Sequence, residues 1–301
     1  MQTGYFSTAW QDIKNSPGWF GKLILLSLVA VIPIFGWIVV YGYLYGWARD
    51  IAWGAHAPLP ARVFGNEDGR LYSRGFFALV IAVVCAIIPG FVSSLGDIVF
   101  ETGFGFGMFH DGWMPFGMAS GLLGLLLSLV SVALAVFLSF FEWVGTMRMS
   151  IYGRLSAGFQ IGRIWAMIRH DFTGLLRILG MAVVLFLGMW LVTSILAVLV
   201  VFGGVFVGGF VVGGGLVVDA ARSDAVGMGV AMGVMAIMVL CSIALCLVAM
   251  AMTVFISMMV VRAVGYWTRQ FNVPAWRGQE DPMPFELAQV YNAGAPRPPS
   301  A

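Results

Sequence analysis

Apolar positions in this chain come in long unbroken runs. No Asp, Glu, Lys or Arg interrupts residues 23–48, 75–96, 112–141, 178–218 or 225–261. A helix rises 1.5 Å per residue, so about 20 apolar residues cross the hydrocarbon layer of a bilayer. Every run reaches that length. None alternates apolar and polar with a period of two, as the strands of a membrane barrel do. The pattern predicts an all-α fold, a polytopic transmembrane helical bundle with about five apolar segments. Composition agrees, with 60% hydrophobic and only 10% charged residues, where a soluble domain carries about 25% charged. The lipid bilayer is therefore the expected surroundings of the chain and its first partner.

The first run, "LILLSLVAVIPIFGWIVVYGYLYGW", contains Pro33 and Gly36 near its middle. A kink there leaves five spans and an external N-terminus. A re-entrant hairpin leaves four spans and an internal one. The pattern leaves both open. Cytoplasmic loops are enriched in Lys and Arg. Segments 49–74 and 142–177 and the C-terminal residues after 261 hold 13 of the 16 such residues. That predicts a multi-pass protein of the cell membrane with those three segments cytoplasmic. The stretch 97–115 has no Lys or Arg and is expected outside.

Residues 1–22 mix Trp10 and Trp19 with polar residues, the composition of a segment lying at the headgroup level. No cleavable signal is expected there. Residues 23–267 form the transmembrane domain. Residues 268–301 turn polar and Pro-rich and are expected to be a disordered cytoplasmic tail. Gly117 and Gly121 stand four apart, as do Gly124 and Ser128, a spacing that lets membrane helices approach closely. The Gly-rich stretch 203–215 is either another such seam or a loosened helix end.

Catalytic patterns are missing. There is no H-E-x-x-H, Walker loop or G-x-S-x-G elbow. Cys85, Cys241 and Cys246 all lie inside apolar runs, with no disulfide or zinc spacing. Asp97, Glu101, His110 and Asp111 have donors enough for a divalent cation, but a solvated acidic loop is the simpler reading. No catalytic, cofactor-binding or metal-binding residue is expected. The net charge of +2 gives no footprint for nucleic acid. Glu142, at the edge of the third run, is expected to be solvated at the interface.

One basic stretch stands out, "GRLSAGFQIGRIWAMIRHDF" (153–172). On a helical wheel, Ile161, Ile164, Trp165, Ile168, Phe172 and Leu175 fall within one apolar arc. Arg163, His170 and Arg177 oppose it. A helix over 157–170 is predicted, with Ser156 as N-cap. A basic amphipathic helix between two spans either lies on the leaflet, with Trp165 inserted and Arg163 and Arg169 near anionic headgroups, or packs on the protein's own helices.

Several motifs resemble the DUF4013 family of uncharacterised membrane proteins. They are Pro17, Trp19 and Lys22 ahead of the first run, Ile32-Pro33 to Gly36 within it, Gly42-Tyr43, and Arg49 to Gly54. "LPARVFGNEDGRLYSRGFFALVI" resembles the family's Leu-Pro loop leading into a Gly-initiated second span, and "GRLSAGFQIGRIWAMIRHDFTGLL" resembles its central loop. The similarity covers roughly 10–270. Gln160 stands where the family pattern has an acidic residue. The resemblance implies the architecture and transfers no reaction. The expected function is therefore non-enzymatic, a structural or accessory role tied to the envelope or its lipids. A solute transporter or channel is the alternative. The sequence says nothing of oligomeric state.

Overall fold

The computed structural model describes residues 4–66, 68–109, 114–213 and 224–287. The regular structure among them is helical. It comprises α1 (Tyr5–Lys14), α2 (Trp19–Ala30), α3 (Phe35–Ala52), α4 (Leu71–Phe109), α5 (Met114–Tyr152), α6 (Ile161–His170), α7 (Phe172–Gly213) and α8 (Asp224–Arg269). Short 3-10 turns occupy Leu155–Phe159 and Val273–Ala275.

The first apolar run is two helices. Pro33 has no N–H to continue the helical ladder, and Ile34 adopts a positive φ of 62°, rare for a β-branched residue. Gly36 allows α3 to fold back on α2, because a Cβ there would collide with the Val29 carbonyl. At 12 residues, α2 is about 18 Å long, too short to cross. The run is a helical hairpin, which selects the four-span arrangement. The helices long and apolar enough to cross are Leu71–Gly103, Met118–Tyr152, Phe172–Gly204 and Met235–Arg269.

These spans form two hairpins, α4 along α5 and α7 along α8, and among the described residues neither α4 nor α5 lies along α7. The hairpins meet at a common base, where α3 wedges between α4 and α8. Gly42 and Gly75 make the α3–α4 crossing, where a Cβ on either would strike a carbonyl of the other helix. The core sits in this base, with Leu44, Trp47, Met147, Met258 and Trp267 fully buried. Away from it the spans are bare. In the most apolar window of α7, 0% of residues are buried, so only lipid or another apolar partner can cover that surface.

Small residues do line the α4–α5 seam. Gly103 of α4 abuts the Ser120 side chain of α5, and the Cβ position of Gly124 lies 2.8 Å from the Gly96 carbonyl. Gly121 makes ordinary contact with the Phe100 ring. Gly117 lies in α5, and its surroundings fall outside the described residues. In α7 the helix runs on to Gly213, and Gly204 abuts Met238 of α8. The segment 203–213 is thus regular helix.

Two expectations need correction. Asp97 and Glu101 belong to α4, not to a loop. His110 and Asp111 lie outside the described residues, and no metal-sized cluster of donors occurs among the described ones. Within residues 268–287 the C-terminal segment packs on the base. Phe271, Val273 and Met283 are buried, and Trp276 stacks on Tyr152 at 5.8 Å. These four apolar or aromatic anchors hold a Pro-rich stretch against the base.

Candidate functional site at the base of the bundle

The basic helix α6 begins at Ile161 rather than near 157. Gly158 presses against Gly145 of α5, which leaves 155–159 as a tight 3-10 turn. Ser156 does not cap the helix. Its hydroxyl bonds the Gln279 side chain at 3.2 Å, and no side chain caps α6. The apolar arc divides between two surroundings. Ile164, Ile168 and Leu175 are buried in the base, while Ile161 is 67%, Trp165 40% and Phe172 48% exposed. Trp165 lies parallel to Phe141 at 6.1 Å and beside Phe137 at 6.2 Å. Its ring thus continues the outer surface of α5.

Arg163 and Arg169 separate in the same way. Arg163 pairs with Glu286 at 2.9 Å and donates to the Glu280 carbonyl at 2.8 Å, tying α6 to the C-terminal segment. Arg169 is exposed, and it is Arg269 at the end of α8 that approaches His56, at 2.9 Å. Trp10 and Trp19, expected at the headgroup level, are half-buried. Trp10 meets Trp19 edge-on at 5.7 Å and Phe255 of α8 at 5.8 Å. With Ala9 and Ile13 fully buried, α1 is part of the base.

Two arginines that sequence reasoning treated as loop charges are fully buried. Arg262 lies 2.7 Å from Asp12, donates to the Trp47 carbonyl at 2.9 Å, and stacks over the Trp47 ring at 4.1 Å. Among the described residues, no carboxylate pairs with Arg148. It donates to Gln160 Oε1 at 2.6 Å and to the Gln279 carbonyl at 3.0 Å, and its Nε is unpartnered. The rings of Tyr152 and Trp276 face it at 5.3 and 5.6 Å. The missed signal is a repeated pattern. Phe141, Arg148 and Tyr152 recur with identical spacing as Phe255, Arg262 and Tyr266. Each set ends a long span, and each arginine faces its own tyrosine ring.

A third cationic cluster joins α3, α4 and the loop between them. Asp68 pairs with Arg74 and, at 3.1 Å, with Arg49. Arg74 also donates to the Gly42 carbonyl at 3.2 Å. Burial by itself raises the Asp68 carboxyl. Hydrogen bonds from the Arg74 side chain and the Arg70 backbone, with the nearby charges of Arg74 and Arg49, outweigh that and hold it below its usual value. Lys22 Nζ donates to the Leu59 carbonyl at 3.0 Å, and the Leu59 N–H donates to Ser16 Oγ at 2.9 Å. These bonds fasten the start of α2 to that loop.

Within the spans, α4 and α5 enclose a cleft of about 320 Å³ lined by Cys85, Pro89, Ser93, Ser131, Ser139 and Glu142. Ser131 Oγ bonds the Pro89 carbonyl at 2.8 Å. Glu142 faces this cleft rather than an interfacial surface, because the base caps α5 beyond it. Both walls come from one hairpin, and no residue of α7 or α8 lines it.

Residues 25–198 match the family described as protein of unknown function, DUF4013. The chain belongs to this family. The match runs from α2 into α7, so the DUF4013 region includes the hairpin at Pro33 and Gly36, the Asp68 cluster, Arg148 and α6. It leaves out α1 and α8, which supply the Asp12–Arg262 pair, and it is narrower than the resemblance over 10–270. No curated protein and no solved structure matches the chain.

Proposed function

We propose that this DUF4013 protein is a non-enzymatic, multi-pass protein of the cell membrane that associates with lipid through its base. In this reading the base lies at the cytoplasmic leaflet. The N-terminus, loops 49–74 and 142–177 and the C-terminal segment are cytoplasmic, which puts 15 of the 16 Lys and Arg residues on one side. Anionic headgroups are the partners, and the role is structural or accessory, in the organisation of lipid or envelope.

The observation that carries the reading is the divided arc of α6. Ile164 and Ile168 fix the helix to the base, and Ile161, Trp165 and Phe172 project outward beside the α5 rings. A helix held this way sits at the depth where an indole favours the interface. The second reading, a transporter or channel, draws on the Glu142 cleft. That cleft has walls from one hairpin only, so it supports a path across the bundle less well.

The test uses full-length protein without its native cysteines, in bilayers. A nitroxide on Ile161→Cys should be relaxed more by lipid-soluble oxygen than by a water-soluble nickel complex. A Gly162→Cys variant should react with impermeant maleimide from the cytoplasmic face alone. Water-like relaxation at 161 would remove the interfacial reading. Labelling at 162 from outside would reverse the topology.

A further inference from the structure

At the base, a groove of about 780 Å³ lies between the first turns of α2 and the loop that precedes α4. Gly21, Lys22 and Leu25 form one wall, and Arg62, Phe64 and Asn66 form the other. We propose that this groove binds the phosphate headgroup of an anionic glycerolipid, with an acyl chain running along α2.

The charge argument rests on Arg62. Its guanidinium makes no hydrogen bond or ion pair with any described residue, and the neighbouring Asp68 is taken by Arg74 and Arg49. Lys22 spends one N–H on the Leu59 carbonyl, and an ammonium carries three donors. Asn66 accepts the Leu71 N–H through Oδ1 at 2.9 Å, which leaves its Nδ2 as a donor. The groove mouth therefore offers two cations and an amide, and no described carboxylate lines it. That set suits a phosphodiester.

The apolar argument selects a lipid over a soluble phosphate. The floor passes Leu25 onto Leu28, and these are 41% and 51% exposed on the outer face of α2. Phe64, 48% exposed, forms the opposite rim. A soluble anion would use none of this surface. Gly21 keeps the passage open, since nothing lies within 4 Å of a Cβ placed there. The inference rests on the lipid-associated reading above, but it concerns a discrete site that no residue of α6 lines.

The experiment is lipid binding to the full-length protein in detergent, by native mass spectrometry and by thermal shift. The probes are dioleoylphosphatidylglycerol, dioleoylphosphatidylcholine and inorganic phosphate. Phosphatidylglycerol should bind more tightly than phosphatidylcholine. Arg62→Gln should weaken it about fivefold, the effect of one interfacial charge. Gly21→Phe should block it while leaving the melting temperature of the lipid-free protein unchanged. Inorganic phosphate should fail to displace it. Equal affinity for the two lipids, or undiminished binding by both variants, overturns the proposal. Displacement by inorganic phosphate, with binding of that ion retained in Gly21→Phe, also overturns it and makes the groove a soluble-anion site. Because the assay needs no bilayer, its failure is separable from failure of the α6 reading.

Discussion

The Asp12–Arg262 pair joins the first helix to the last, and breaking it should loosen the base. Arg262 is 1% exposed and Asp12 24%. Asp12→Ala leaves the guanidinium buried with two backbone carbonyls and the Trp47 ring, but no counter-charge. It also strips Tyr266 of the acceptor that its hydroxyl meets at 2.7 Å. Removing one partner of a buried pair costs about 3–5 kcal/mol. The partial exposure of Asp12 lets water reach the vacated position and favours the low end, about 3 kcal/mol. At about 2–4 °C per kcal/mol for a chain of this size, the melting temperature should fall by about 6–12 °C. The assay is tryptophan fluorescence during heating in a mild detergent, with the exposed Glu280→Gln as control. Adding Arg262→Met removes the stranded charge, and such replacements are often neutral or better. The double variant should therefore melt above Asp12→Ala alone. If Asp12→Ala melts with the control, or if the double variant is worse by the sum of two independent losses, the pair does not hold the base as argued.

Further outcomes are expected elsewhere in the molecule. Gly36→Val should prevent α2 and α3 from closing against the Val29 carbonyl and abolish the folded yield measured by size-exclusion chromatography, whereas Gly162→Ala, with open space around it, should fold normally. Arg163→Gln breaks a half-exposed pair with Glu286 and should cost no more than about 1 kcal/mol, read as faster tryptic cleavage at Arg277 with little change in melting temperature. The Asp68 carboxyl is held below its usual value, so its contribution to stability is present above the ordinary carboxylate range and is lost as pH falls through its folded value. An Asp68→Asn variant should be less stable at neutral pH and should approach the wild type in strong acid. A constant difference between the two at every pH would refute that assignment.

The architecture was legible wherever it depends on composition along a single segment. Runs 75–96, 112–141, 178–218 and 225–261 became spans because nothing but lipid suits twenty consecutive apolar residues. The basic stretch 153–172 announced a helix by its period, since Ile164, Trp165 and Ile168 share an arc whatever surrounds them. Family membership was legible too, in the motifs flanking Pro33 and Gly36.

Tertiary structure decided whatever depends on which segment meets which. Pro33 is compatible with a kink or a hairpin until the Gly36–Val29 approach closes one. The apolar arc of α6 divides between core and exterior only because Gly158 and Gly145 set its depth against α5. Arg148 and Arg262 read as loop cations along the chain. Their burial comes from partners far away in sequence, Gln279 for one and Asp12 for the other. The open groove at Arg62 likewise depends on Asp68 being claimed by Arg74 and Arg49. A residue's type fixes what it can bond, but a partner 250 residues away is chosen by packing, and no local pattern encodes it.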